Sequence, residues 1–225
     1  MLYTKIEKNI RKLLCQIPSG VGLVAAVKTR TLGEVKAAVE SGISVIGENY
    51  VQEALDLKGH LPLDVKIHFI GHLQKNKVKK AVEVFDLIET VDSLDLALEI
   101  DKRSRNISKV MPVFIEVNSG RESQKHGVFP EKTEDLIRKI TKLSNVRIKG
   151  IMTMGFFSDD IEKLRPLFRD TKMLFDRIVS MNIPGAEMLW LSMGMSDSYS
   201  VAIEEGANIV RIGTGIFGER KQKKD

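Results

Sequence analysis

An α/β fold, and within that class a closed (β/α)8 barrel of the TIM type, is predicted by three features of the 225-residue chain. Short apolar stretches recur eight times along it. Each is followed by polar or amphipathic sequence, the pattern of a parallel sheet covered by helices, and eight such units close naturally into a barrel. An open doubly wound sheet would carry a G-x-G-x-x-G turn after its first strand, but the sequence there reads VKTRTLGE.

The elements follow in order. MLYTKIEKNIRKLLCQIPSG opens the chain as an amphipathic helix over 1–17, ended by Pro18 and Gly20, and packs as an element additional to the eight units. Strands are expected at 21–28, 44–49, 66–71 and 86–91, then at 111–118, 147–154, 187–194 and 208–213. Helical patterns between them include TLGEVKAAVESG, LDLALEIDKRSRN, PEKTEDLIRKITKLS and KLRPLFRDTKMLFDRIVSMN. Gly42, Asn106, Asn145 and Asn182 stand where helices stop. With no linker or low-complexity segment, one domain over 1–225 is expected, with a basic tail at 220–225.

Composition bounds the function. Hydrophobic residues make up 43% and charged residues 29%, which suits a sizeable core inside a soluble surface. No apolar run approaches a membrane span, and the N-terminal segment lacks the apolar centre of a signal peptide. The single Cys15 has no metal-spaced companion, which favours a reducing, cytoplasmic setting. Net charge is +5, of which RKQKKD at the end carries +3. A second basic cluster holds Lys75, Lys77, Lys79 and Lys80. Neither is interleaved with the aromatics that a single-strand platform needs, so both read as solvated faces and nucleic acid is not an expected partner.

In a barrel of this kind chemistry gathers at the C-terminal strand ends. Those ends offer Lys28, Glu48-Asn49, Gly71-His72, Asn118, Met152-Thr153-Met154, Ser192 to Ser196, and Arg211 to Thr214. Lys28 is either a solvated strand-end lysine or an amine at a dry mouth, placed to attack an aldehyde. Gly213-Thr214-Gly215, beside SMGMS, is either a tight turn or an anion cradle in which Ser196 and Thr214 add hydroxyl donors. Arg211 sits inside an apolar strand and must have a partner. Met152, Met154, Met193 and Met195 are core, or the lining for a flat ring. His68 and His72 read as core or rim residues and His60 and His126 as loop residues. No H-E-x-x-H or similar spacing occurs, so no metal site is expected.

The stretches AAVKTRTLGEVKAAVESGISVIGENYVQEA, HFIGHLQKNK, VNSGRESQKHG, GIMTM and LSMGMSDSYSVAIEEGANIVRIGTGIFGER carry a resemblance. In order, from about Leu23 to Arg220, they resemble the motifs of the pyridoxal-phosphate homeostasis proteins, short barrels related to the N-terminal domain of alanine racemase. One departure is the alanine-valine step before Lys28, where the family often has serine; the lysine is in place. The resemblance implies a fold-type III barrel holding pyridoxal 5'-phosphate (PLP). Lys28 is then the Schiff-base lysine and Asn49 a cofactor contact. Ser196, Gly213 and Thr214 hold the phosphate, and Arg211 faces the pyridine nitrogen.

An arginine there donates and never accepts, so it keeps the ring nitrogen unprotonated and restrains carbanion chemistry. The function implied is a non-catalytic binder that buffers PLP or delivers it to apo PLP-dependent enzymes. The alternative is an amino-acid racemase. That reaction needs a second acid-base group opposite the lysine, and in alanine racemase a tyrosine from a C-terminal domain supplies it. The chain closes soon after strand 8, so a binder is expected, and a monomer with it.

Overall fold

Eight parallel strands close on themselves in sequence order, β1 pairing with both β2 and β8. The computed structural model describes residues 2–156 and 158–219, so the basic tail lies outside the described residues. The strands are β1 (Gly22–Ala26), β2 (Val45–Glu48), β3 (Lys66–Phe69), β4 (Leu87–Val91), β5 (Met111–Val117), β6 (Val146–Thr153), β7 (Ala186–Ser192) and β8 (Ile209–Ile212). Every one falls within two residues of its expected bounds, because apolar runs flanked by turn residues mark both ends of a short buried strand.

The helices on the outside are α1 (Leu2–Gln16), α2 (Leu32–Glu40), α3 (Val51–Lys58), α4 (Val78–Val84), α5 (Leu94–Arg105), α6 (Pro130–Ile140), α7 (Arg165–Ser180), α8 (Tyr199–Glu204) and α9 (Thr214–Phe217). Their starts are chemically marked. Thr31 and Glu34 form a reciprocal capping box on α2, Ser93 Oγ accepts from Leu96 N on α5, and Pro130 begins α6. Gly42 and Asn182 take left-handed backbone conformations just past α2 and α7.

On α1, Ile6, Ile10 and Leu13 recur at helical spacing, Ile17 follows just past its end, and all four are buried. Each such side chain contributes about 1.5–3 kcal/mol by leaving water. The helix packs against α2 and α9, and Asn9 Nδ2 donates to Ile216 O at 2.9 Å. The additional helix therefore braces the segment that follows β8. Of the methionines at the strand ends, Met152 and Met193 are core, whereas Met154 and Met195 are exposed.

Candidate functional site

Lys28 stands two residues beyond β1, half-buried at the C-terminal mouth. The mouth is wetter than its apolar strand suggests. Lys28 Nζ lies 5.0 Å from the centre of the exposed Tyr50 ring, and Glu48 on β2 feels its charge. The next residue, Thr29, has φ 62°, a left-handed conformation that is unusual for a β-branched side chain. Its N–H donates to Glu53 Oε2 at 2.9 Å, which pins the turn.

The loops after β7 and β8 meet beside this turn. Gly213 N and Gly215 N both donate to Ser196 Oγ, at 3.2 and 3.1 Å. A Cβ on Gly215 would lie 2.9 Å from Ile212 Cγ2, and one on Gly213 would come within 3.3 Å of Ala26 O. Glycine thus lets two backbone donors converge on one oxygen, right against the end of β1. Thr214 opens α9 and is exposed. Arg30 braces the far side of the loop, donating to Gly218 O and stacking 5.3 Å from the Phe217 ring centre.

Arg211 lies beneath the mouth, inside the barrel, and is 3% exposed. Its guanidinium donates to Ser192 Oγ at 2.6 Å and to Thr153 O at 2.9 Å, with Glu89 Oε2 at 3.9 Å. Ser192 Oγ in turn donates to Glu89 Oε2 at 2.7 Å, and His68 Nδ1 donates to Glu89 Oε1 at 2.8 Å. Burial opposes ionisation of Glu89, yet the hydrogen bonds and charges of His68, Arg211 and Ser192 hold its carboxyl below the usual range. Burial likewise pulls Arg211 down, against Glu89 and Glu116. A guanidinium remains protonated throughout.

The fold thus gathers Lys28, Ser196, Gly213 and Thr214 in one sector, with Arg211 below, paired through Val24 to β1. Asn49 is on the other side of Lys28. Its N–H donates to Glu48 Oε2, and its backbone is packed so closely that a Cβ on Gly71 would lie 2.5 Å from Asn49 O. A cavity of about 470 Å³ opens on this β1–β3 side, lined by Lys28, Asn49, Tyr50, His72, Lys77 and Lys80 among others. The cradle residues Ser196, Gly213 and Thr214 are not part of its lining. Convergent donors identify an anion site better than a concavity does, so the cavity is read as the approach to Lys28. A second cavity of about 280 Å³ adjoins it through Asn49, Gly71 and His72 and includes Glu116 and Asn118.

Sequence reasoning placed Glu48 among the strand ends without giving it a role and passed over Glu89 and Glu116, although each interrupts an apolar strand as Arg211 does. It also took Lys77 and Lys80 as merely solvated, and they line the cavity mouth. Glu48 is pushed up to about 7 by burial and by Glu53, against the N–H groups of Asn49 and Tyr50 and the charge of Lys28. Glu116 is also raised to about 7, by burial and Asp92, with Arg211 opposing. A carboxyl raised in the folded state stabilises fully below its unfolded value near 4.5, and that contribution is lost as pH rises through about 7. Between about pH 5 and about pH 8 the Tm of the unliganded protein therefore falls, and in Glu48→Gln it falls by about 5 °C less. Parallel thermal scans check this; identical slopes would show that Glu48 titrates normally.

A parallel barrel with an amine after β1, converging donors after β7 and β8, and a buried arginine between them defines a class: α/β barrels equipped to hold a small anionic ligand at the mouth. The family model described as alanine racemase, N-terminal domain, matches residues 3–221. The chain is 43% identical over 200 residues to the pyridoxal phosphate homeostasis protein of Aquifex aeolicus, covering 88% of this chain and 87% of that one. The human pyridoxal phosphate homeostasis protein is 37% identical over 214 residues, covering 90% and 78%. Among solved structures, PipY of Synechococcus elongatus with PLP bound superposes with a TM-score of 0.87 at 30% identity, covering 95% of this chain and 100% of that one. Alanine racemase of Clostridium difficile superposes at 0.78 with 15% identity, covering 99% and 60%, a likeness of fold alone. The chain belongs to the alanine racemase N-terminal domain family, among its pyridoxal phosphate homeostasis proteins.

Proposed function

We propose that this chain binds PLP at the mouth of its barrel and serves PLP homeostasis by holding and releasing the coenzyme, without strong catalysis of its own. The observation that carries the reading is the adjacency of an amine and an anion cradle on neighbouring strands, with Gly213 against Ala26 and Lys28 two residues on. The residues present fit the group: Ser196 Oγ accepts two backbone N–H bonds in a position that a phosphate oxygen can share or take. The chain's relatives are named for PLP homeostasis, and PipY was solved with PLP.

Bound PLP supplies an aldehyde that condenses reversibly with an amine and a ring that draws electrons. The chain's residues do the rest. Gly213, Thr214 and Ser196 orient the phosphate, Lys28 offers its amine at the adjacent strand end, and Asn49 contacts the ligand from the β2 side. Arg211, fixed by Ser192, Thr153 and Glu89, has only donors to offer, so a ring nitrogen that faced it would be held unprotonated and weakly activating. Of the tyrosines near the strand ends, Tyr199 is engaged by Gln16 of α1 at 3.0 Å, and Tyr50 lies beside Lys28. Neither contact presents an acid-base group opposite Lys28, which favours binder over racemase.

The test is a visible absorption titration of the protein with PLP, followed by borohydride reduction and peptide mass mapping. Loaded protein is then mixed with L-alanine and, separately, with an apo PLP-dependent enzyme. The reading expects a stoichiometric adduct, negligible racemisation and reactivation of the apo-enzyme. Robust turnover lost in Tyr50→Phe would make the protein a racemase, and failure to reactivate would remove delivery.

The cradle carries its own prediction. A hydrogen bond to a charged group contributes roughly 1.5–3 kcal/mol, so Ser196→Ala or Thr214→Val weakens PLP about tenfold or more. Pyridoxal, which lacks the phosphate, is scarcely affected. Equal losses for the two ligands in a fluorescence titration would place the phosphate elsewhere.

A further inference from the structure

Three residues that the sequence gives no reason to associate meet on the other side of the mouth. His72 follows β3, Asp92 follows β4 and His126 follows β5. One nitrogen of each histidine and a carboxylate oxygen of Asp92 all lie within 4.8 Å of one another. The two imidazoles stack with centres 3.6 Å apart and planes 11° from parallel.

The backbone beneath them is fixed. His72 adjoins Gly71, where a Cβ would strike Asn49, and His126 adjoins Gly127, whose φ of +107° disfavours any side chain and where a Cβ would lie 2.7 Å from Asn118 N. Gly127 N donates to Asp92 Oδ2 at 3.4 Å, tying two of the three loops together. Lys125, which lines the cavity beside His72 and His126, is engaged elsewhere: it pairs with Glu122 at 2.5 Å and donates to Gly155 O. The same cavity is lined by Thr90, whose Oγ1 is buried and has no hydrogen-bond partner among the described residues. That hydroxyl is able to donate to a ligand atom entering the cavity.

We propose that His72, Asp92 and His126 form a binding site for a divalent transition metal of the zinc class, with its remaining coordination position open to the cavity that Thr90 lines. Two imidazoles and one carboxylate suit zinc and its neighbours better than magnesium or calcium, which prefer oxygen alone. Bonds of about 2.0–2.1 Å to a tetrahedral ion set the ligand atoms roughly 3.4 Å apart, so the group must close by about an ångström. Both rings are exposed and can turn about their side-chain torsions, exchanging their stack for convergence on the ion.

The experiment is calorimetric titration of the chelator-treated full chain with Zn2+ in the absence of PLP, with Co2+ absorption as a second readout. One equivalent binds. His72→Ala and His126→Ala each weaken it by about tenfold or more, as does Asp92→Asn. Cys15→Ser and His60→Ala leave it unchanged, and far-UV spectra establish that all variants fold. A zinc equivalent that persists at full affinity in the His72→Ala/His126→Ala double variant overturns the site, and so does absence of binding to the wild type. Because PLP is omitted, the result stands or falls apart from the cofactor reading.

Discussion

Lys28→Ala abolishes the borohydride-trapped PLP adduct while the far-UV spectrum of the folded barrel is retained. The effect is all or none on the proposed reading, in which the Lys28 amine condenses with the aldehyde and its removal leaves only the phosphate and ring contacts to hold the ligand. Lys77 and Lys80 line the same cavity and are the natural competitors. Peptide mapping of the wild-type adduct decides between them. A trapped adduct on either, or an adduct surviving in Lys28→Ala, would falsify the assignment of Lys28. Residual binding of PLP by the variant, lost on adding Ser196→Ala, is the further expected result.

Glu89→Ala destabilises the protein by about 3–5 kcal/mol, since removing one member of a buried ion pair strands the other. For a chain of this size that lowers Tm by about 10 °C or more. Glu89 is fully buried and satisfies three groups at once: Ser192, His68 and the charge of Arg211. Apolar replacement of both partners, Glu89→Leu with Arg211→Met, recovers more than half of the loss, because no uncompensated charge remains. Urea denaturation of the three proteins checks the cycle. A single-variant loss below about 1 kcal/mol would mean that water reaches Arg211 and replaces the carboxylate.

These predictions rest on residues of unequal legibility. The strands are readable because each is a short apolar run, and α2, α5, α6 and α7 because each is long enough to show its period; α6 ends at Ile140, short of the expected stop at Asn145. α3, α8 and α9 span eight, six and four residues and escape a periodicity argument. Within a strand buried on both faces, alternation carries little information, so DLIETV does not disclose that Glu89 points into the barrel toward β8. Arg211 demanded a partner on electrostatic grounds, but only closure of the sheet brings β3, β4 and β7 around it. The meeting of Ser196 with Gly213 and Gly215 was legible, because glycines and hydroxyls occupy adjacent loops at a known place in the architecture. His72, Asp92 and His126 come from three loops with no mutual spacing, and nothing short of the fold could bring them together.

The pinned turn at Thr29 has a consequence for rates. From a loose loop a lysine side chain sweeps a broad volume, and each encounter must wait for it to come round. With Thr29 strained and its N–H held by Glu53, the entropy of ordering that stretch is lost when the chain folds, not when a ligand arrives. The effective concentration of the amine at the cradle is correspondingly high. On the proposed reading, covalent capture by Lys28 would keep pace with docking, and docking of an anion beside Lys28, Lys77 and Lys80 would quicken as ionic strength falls.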